Sequence, residues 1–364
     1  MRVLVVNAGS SSLKLRLLDG SDVIEQSADL PADDGDLDTD RLAGVLRAWP
    51  RPDAVGHRIV HGGVRFTSPV LIDGNVRRQL EDLIDLAPLH QPKSLSALDA
   101  VTTLLPDVAA VGCFDTAFHT TIPAAAATYA VPREWRRRYA IRRYGFHGLS
   151  HAYATRRAAQ LLDLPLAGLR IISCHLGAGA SVAAVLGGRS VDTTMGFTPL
   201  DGLVMATRSG SIDPGLVLWL EEHEHLSPHE VATTLESHSG LTALAGTGDM
   251  REVEAAADLG DEHALLALDV YLHSLAAGVA AMSASTAGLD VLIFTGGVGE
   301  HSTRVRRLMA QRLAYLGVAV DADRNDSVQV DRDISLPGAA VWTIVVEARE
   351  DVQIACETRI LLGR

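Results

Sequence analysis

Two arginines stand where a solvated arginine would be out of place. Arg58 lies in Gly-His-Arg-Ile-Val-His-Gly-Gly (56–63) and Arg208 in Met-Ala-Thr-Arg-Ser-Gly-Ser-Ile-Asp-Pro-Gly (205–215), each among glycines, small residues and apolar neighbours. A planar guanidinium fork in such a setting grips a carboxylate or a phosphate, or else sits in a buried ion pair. Asp115 closes an apolar run in Cys-Phe-Asp-Thr-Ala-Phe-His (113–119), and Glu350 follows the apolar run 341–346. A carboxylate just past a strand in an α/β sheet reads as a metal or substrate contact, or as a helix cap.

Three glycine turns accompany these charges. The first, 7–14, runs Asn-Ala-Gly-Ser-Ser-Ser-Leu-Lys. Its small residues let backbone N–H groups approach an anion and Lys14 adds charge, although the same run would serve as a polar hairpin turn. It lacks the Gly-Lys-Ser/Thr ending of a Walker loop. The second, His-Leu-Gly-Ala-Gly-Ala-Ser (175–181), is a further candidate anion nest. Two such turns suit the several phosphates of a nucleotide. The third, Gly-Gly-Val-Gly-Glu (296–300), lacks the last glycine of a dinucleotide fingerprint, and reads as a close approach to a flat adenosine or as a tight connection. His147 and His151 have the spacing of a zinc pair, but Gly148 stands where a zincin needs Glu. The arginines at 136–138 and 142–143 read as a solvated face, and His223 and His225 as a solvated helix end.

These residues need a frame. Residues 3–18 read as strand, turn, strand, with Leu13, Leu15 and Leu17 on one face and Lys14 and Arg16 on the other. The opening pattern returns at 171–188, where Gly177 aligns with Gly9 at an offset of 168 residues, close to half the chain. A duplicated α/β domain is the expectation. Helical spacing is found at 77–86, 94–105, 147–162 and 265–285. Further strands are expected at 107–114, 170–174, 291–294 and 341–346. The acidic, Gly- and Pro-punctuated stretch 31–40 reads as an exposed loop, and 347–351 as a break before a short final helix.

At 364 residues, with 47% apolar and 21% charged side chains, the chain has material for two cores. A net charge of −13 argues against a protein that coats nucleic acid. Cys113, Cys174 and Cys356 are odd in number, widely spaced and form no CxxC pair, so free thiols in a reducing cytoplasm are expected. No run reaches ~18 consecutive apolar residues, and the opening Met1–Asn7 is too short for a signal peptide.

Taken in order, the run 7–14, the Gly-His-Arg…His-Gly-Gly stretch, Pro-Leu-His-Gln-Pro (88–92), Phe-Asp-Thr-Ala-Phe-His (114–119), Tyr-Gly-Phe-His-Gly-Leu-Ser-His (144–151), His-Leu-Gly-Ala-Gly (175–179), Met-Gly-Phe-Thr-Pro (195–199), Thr-Arg-Ser-Gly (207–210) and the 296–300 turn resemble the acetate kinase family along essentially the whole chain. The resemblance implies duplicated actin-like, RNase H-like ATPase domains facing a central nucleotide cleft. It gives 1–117 with the C-terminal helix 351–364 as one domain and 118–350 as the other. It also implies transfer of a phosphoryl group between ATP and acetate, giving ADP and acetyl phosphate.

By that resemblance Asp115, His147 and Arg208 are catalytic. Arg58 binds the carboxylate, His90 supports it, and Val60, Leu89, Phe146 and Pro199 line the pocket for the methyl group. Asn7 and Glu350 belong to a site for magnesium, or manganese in its place. Lys14, His175, Leu176, Gly177, Ala178, Gly179, Asp249, Met250, Arg251, Gly296, Gly297, Val298, Gly299 and Glu300 belong to the ATP/ADP site. A cytoplasmic homodimer is implied, with neither nucleic acid nor membrane as partner. Three positions depart from the family's usual pattern: Ala178 for Asn, Asp201 for Glu and Ala206 for Gly. A kinase for a larger carboxylate, propionate or butyrate, is the alternative, and a silent nucleotide-dependent binding protein is another. The intact Arg58, Asp115, His147 and Arg208 argue against the silent reading.

Overall fold

The computed structural model describes residues 1–9, 12–33, 36–88, 91–327 and 330–363. The chain divides into two compact units. The first comprises residues 1–120, 146–153 and 349–364, and the second residues 121–145 and 154–348.

The first unit is built on seven strands: β1 (Val3–Ala8), β2 (Ser12–Leu18), β3 (Ile24–Asp33), β4 (Asp36–Leu37), β5 (Ala54–Ile59), β6 (Val70–Leu71) and β7 (Ala109–Phe114). Their order in the sheet is β4-β3-β2-β1-β5-β7-β6. The strands β1, β5 and β7 run parallel, flanked by the antiparallel meander β1–β3 on one side and β6 on the other. Alternation decides which face is core. Leu13, Leu15 and Leu17 are buried with Leu4, Val6 and Val55 under the helix Gln91–Leu104, while Lys14 is exposed. The opposite face takes the helix Glu350–Leu361, with Val3, Val5, Val111 and Cys113 against Val352, Ile354 and Ala355. Among the described residues of 31–40, most are not loop. Pro31 pairs with Ser12 at the end of the β2–β3 ladder, β4 follows, and Asp38 caps the helix Thr39–Ala48 by accepting the Arg41 N–H at 2.9 Å. A proline is tolerated where a ladder ends, so the punctuation did not break the strand.

The second unit repeats the plan with β8 (Arg170–Leu176), β9 (Ala180–Leu186), β10 (Arg189–Thr193), β11 (Val291–Thr295), β12 (Arg332–Asp333) and β13 (Trp342–Val345). Its order is β10-β9-β8-β11-β13-β12. Again a three-stranded meander joins parallel strands, here β8, β11 and β13, and a short antiparallel strand closes the far edge. Strands β1 and β8 end 168 residues apart, the same offset as the glycines, so the repeat seen in the sequence is a repeat of topology. The helix Glu262–Ser285 is, among the described residues, the one helix long and apolar enough to cross a membrane by length and composition. Here its buried stripe, including Leu268, Tyr271, Leu275 and Val279, is laid on β8, β9 and β10. All three cysteines are free thiols, and Cys113 and Cys174 are buried.

Close approach of the C-terminal helix to β5 depends on Gly56. A Cβ there would stand 2.5 Å from Ile354 Cγ2 and 2.6 Å from Thr358 Oγ1. Gly56→Ala should therefore force the helix outward and cost ~1–3 kcal/mol, as overpacking does. Urea unfolding measures this, and an unchanged midpoint would show that the helix is not held so tightly.

Candidate active site

The charged residues of the first unit meet where three parallel strands end. Asn7 is next to last in β1, Arg58 next to last in β5, and Asp115 is the first residue after β7. Parallel register sets Val6 beside His57 and Arg58 beside Cys113, and the Asp115 N–H donates to Ile59 O at 3.0 Å. The carboxyl ends of parallel strands are where α/β sheets place ligands, because the connecting loops open there. Glu350 arrives from elsewhere in the chain, as the first residue of the C-terminal helix.

Arg58 organises the group. Its Nε and Nη2 donate to Asp115 Oδ1 and Oδ2 at 3.1 and 2.6 Å, and its Nη1 donates to Asn7 Oδ1 at 3.2 Å. Asn7 Nδ2 donates to Glu350 Oε2 at 3.0 Å, and that oxygen lies 3.8 Å from Arg58 Nε. Burial disfavours the Arg58 cation, but Asp115 and Glu350 outweigh it and its pKa is raised. Burial pushes the Asp115 carboxyl up, with Arg58 pulling against it. The Asp115 side chain is 1% exposed and the Arg58 side chain 15%. Among the described residues, three of the five guanidinium N–H donors are engaged by protein side chains. Asp115 thus bears on Arg58 through both oxygens and orients it.

Phe146 and His147 belong to the same unit. The Phe146 ring is buried edge-on to His61, with centroids 5.5 Å apart. The His119 ring nitrogen Nε2 lies 3.0 Å from Phe146 O, so the tautomer that donates there carries its proton on Nε2. His147 has φ +56°, left-handed and costly for a non-glycine residue, a strain that clusters at functional sites. Its neighbour must be glycine: a Cβ on Gly148 would come 2.2 Å from Asp115 O, which accepts the Gly148 N–H at 2.9 Å. Val60 is buried just past β5. Lys14 is exposed and directly opposite Asn7 in the β1–β2 ladder. Leu89 and His90 lie outside the described residues.

In the second unit, His175 and Leu176 end β8, and Gly177, Ala178 and Gly179 form the turn, with Ala178 exposed. The Gly177 N–H closes on Gly179 O at 2.9 Å, and the Ala206 N–H donates to Ala178 O at 3.0 Å. Gly296 opens the helix Gly296–His301 with φ +78°, and a Cβ there would come 2.8 Å from Leu176 O. Gly297 faces open space, Val298 is half-buried and Gly299 is buried. Glu300 turns back: its Oε1 accepts the Gly296 and Ala348 N–H groups. Asp249 caps the helix Met250–Asp258 and pairs with the exposed Arg251, while Met250 is buried in the core. Pro199 is half-buried.

The Arg208 loop is laced to the segment 235–242. Ser209, Ser239 and Leu241 N–H groups bond across it, and Gly240, with φ +62°, passes where a Cβ would meet Met205 O at 2.2 Å. Burial lowers the Arg208 pKa, with Glu236 opposing.

Arg143 is not part of a solvated face. Its Nη1 donates to Thr194 O and Met195 O, each at 3.0 Å, and its guanidinium covers the Tyr129 ring. His151 is buried against His119, their ring centroids 5.8 Å apart, and no group of three His, Cys, Asp or Glu suited to a metal occurs among the described residues.

The model of the acetokinase family matches residues 44–356. The chain belongs to the acetokinase family. An acetate kinase of Thermotoga maritima is 42% identical, covering 100% of this chain and 99% of its own. One from Methanosarcina acetivorans is 40% identical over the same shares. The solved acetate kinase of Porphyromonas gingivalis superposes with a TM-score of 0.91 at 36% identity, and a solved propionate kinase of Francisella tularensis with 0.91 at 34%, each covering 99% of both chains. The fold is thus the family's duplicated, actin-like ATPase fold.

Three buried imidazoles surround the Arg58 strand and Phe146. Burial holds His57, His61 and His119 each to about 4, and neither ring nitrogen of His57 has a partner among the described residues. The unfolded chain, with ordinary histidines near 6.5, binds more protons between those values. Stability contributed by the neutral rings is full above about pH 6.5 and falls as pH drops towards 4, by up to ~1.4 kcal/mol per pH unit for each ring. Urea midpoints from pH 7.5 to 5 should fall, less steeply in His57→Leu. A midpoint flat to pH 5 would mean that the rings are not held neutral.

Proposed function

We propose that the protein transfers the γ-phosphoryl group of ATP to acetate by direct in-line displacement, giving acetyl phosphate and ADP, reversibly. The observation that carries this reading is the Arg58 fork, oriented by Asp115 and Asn7 at the ends of three parallel strands, in a chain of this family. A carboxylate is already ionised at neutral pH, so it needs no general base to attack. What remains is positioning and neutralisation of charge.

Arg58 takes the carboxylate, Arg208 and His147 stabilise the equatorial oxygens of the phosphoryl group in flight, and Asp115 keeps the Arg58 fork in its plane. Lys14, the 175–179 turn, Asp249–Arg251 and the 296–300 turn receive the nucleotide. Val60, Leu89, Phe146 and Pro199 are the candidates for recognising the methyl group, and His90 for supporting the carboxylate. The oxygen donors of Asn7 and Glu350 suit magnesium, or manganese in its place, because such an ion takes one or two protein ligands and completes its shell with phosphates. When bound it neutralises phosphate charge.

The three free thiols suit a reducing cytoplasm. A homodimer is supported by the helix Pro214–His223, which carries Leu216, Leu218 and Trp219 exposed and has no buried residue. Nucleic acid and membrane are not among the partners proposed. The alternative, a kinase for propionate or butyrate, is not favoured, because curated relatives at about 40% identity over the full length are acetate kinases.

Trapping acyl phosphate as the hydroxamate, over acetate, propionate and butyrate, tests the reaction; no product from any of them would refute it. Arg208→Ala should lose ~10²–10³ in turnover and Arg208→Lys should not fully restore it, since the fork is lost. Near-normal turnover in folded Arg208→Ala would remove it from the mechanism. One methylene is worth ~1–3 kcal/mol, so acetate should exceed propionate by no more than ~10–200-fold in kcat/KM. Val60→Ala should shift the ratio towards propionate, and an unchanged ratio would take Val60 out of the pocket.

A further inference from the structure

After β13 the backbone leaves the sheet along an irregular path that ends, within five residues, at Glu350. Three successive N–H groups on this path are taken by three different elements. Val346 donates to Phe294 O at 2.9 Å, Glu347 to Asp331 Oδ1 at 3.2 Å, and Ala348 to Glu300 Oε1 at 2.9 Å. Irregular backbone carries no ladder of its own, so acceptors brought from outside decide where it runs. The Phe294 and Asp331 acceptors serve this path at the strand end and in the loop before β12. The third differs, because the same Glu300 oxygen accepts the Gly296 N–H at 3.0 Å.

We propose that Glu300 is a positioning residue: one carboxylate oxygen ties the opening peptide of the 296–300 turn to the peptide two residues before Glu350. The inference rests on the proposed function in treating that turn as nucleotide-binding and Glu350 as cation-binding. It assigns Glu300 a role distinct from contact with nucleotide.

The position of the carboxylate is itself fixed. Buried Arg306 donates from Nη1 to Gly299 O at 2.9 Å and to Glu300 O at 2.7 Å, and is braced from behind by Asn325. The Glu300 backbone therefore cannot follow its side chain if the turn shifts. Gly296 is fixed as well, since no Cβ fits against Leu176 O. Burial raises the Glu300 carboxyl pKa, with the Ala348 and Gly296 N–H groups pulling it down. What both N–H groups need is an acceptor at this point, and a neutral amide oxygen of the same reach provides one. Geometry, not charge, is the property at stake.

This yields a test with an isosteric control. Glu300→Gln keeps the acceptor, Glu300→Ala removes it, and Glu300→Asp retracts it by one methylene. Three quantities are read on the full chain: hydrogen exchange of the Gly296 and Ala348 amides, ADP affinity in the presence of EDTA, and Mn²⁺ affinity, with the metal alone, by paramagnetic resonance. In Glu300→Ala both amides should exchange at least about tenfold faster, and ADP and Mn²⁺ should each bind ~10-fold more weakly, the scale of one ordinary hydrogen bond lost. Glu300→Gln should stay within about threefold of the parent in all three. Should Glu300→Ala fail to fold, Glu300→Asp is expected to show the same pattern.

Parent-like values in Glu300→Ala would overturn the proposal. So would weaker ADP with unchanged Mn²⁺ and unchanged Ala348 exchange, which would confine Glu300 to the turn. A Glu300→Gln as impaired as Glu300→Ala would make the charge the property that matters, and would overturn it too. If the parent itself binds no ADP, the nucleotide reading falls, while amide exchange still decides whether the tie exists.

Discussion

A guanidinium taken out of water must be matched, and much of the first unit follows from matching Arg58. An unpaired buried charge costs several kcal/mol, and even a good pair returns that only when geometry and the remaining hydrogen bonds are satisfied. Arg58 is satisfied by Asp115 through a two-pronged fork and by Asn7, with Glu350 close by. Each partner comes from a different element, so the constraint reaches through the unit. Strands β1, β5 and β7 must run parallel and end level, and the C-terminal helix must begin where it does. Gly56 lets that helix close on β5, and Gly148 lets the chain carrying His147 come up under Asp115. A site held this way is rigid before any ligand arrives, which is what transfer by positioning and electrostatics requires.

The duplicated sheet is put to a different use in each unit. In the first, the strand ends carry charged side chains. In the second, the equivalent ends of β8 and β11 carry Gly177, Gly179 and Gly297, none of them buried, where backbone without a side chain is presented. Side-chain charge suits a small carboxylate that must be gripped from one side. Backbone amides suit phosphates and a flat base that must be approached closely. One topology accommodates both because parallel strands place their loops at one edge, whatever those loops contain.

What could be read from the chain follows the reach of each signal. Leu13, Leu15 and Leu17 declare their face because strand periodicity is local, and the repeat of Gly9 at Gly177 declares the duplication because it preserves a whole turn. Arg58 and Asp115 were each recognisable as unusual, but 57 residues separate them and no local pattern says that they find one another. Only the register of β5 on β7 does so. Glu300 hides its partners for the same reason, since both are backbone groups and leave no trace in residue type. Arg143 was misjudged because adjacent arginines suggest solvent, whereas its fork is used by two carbonyls of the 194–195 loop. The 31–40 stretch was misjudged because composition was weighed without the neighbouring strand that pairs with it.

Two of the three departures from the family pattern meet in a backbone hydrogen bond, and the third stands in a crowded place of its own. Ala206 donates its N–H to Ala178 O, so two of the three share a hydrogen bond made entirely by backbone. Ala206 does not have the positive φ that would demand glycine, and its methyl group is accommodated by Gly248, where a Cβ would come within 3.1 Å of it. Asp201, one methylene shorter than Glu, accepts from Ser211 Oγ and Arg143 Nη1 in a place already crowded by Gly196 and Tyr129. The shorter side chain matches the space. Only Ala178 alters what a ligand would meet, because it is exposed at the tip of its turn and lacks an amide to offer. The backbone of that turn is pinned by the Gly177–Gly179 and Ala206–Ala178 bonds whatever side chain stands at 178. The peptide surface of the turn is therefore set by its own backbone bonds, and the departure at 178 changes a side chain and nothing beneath it.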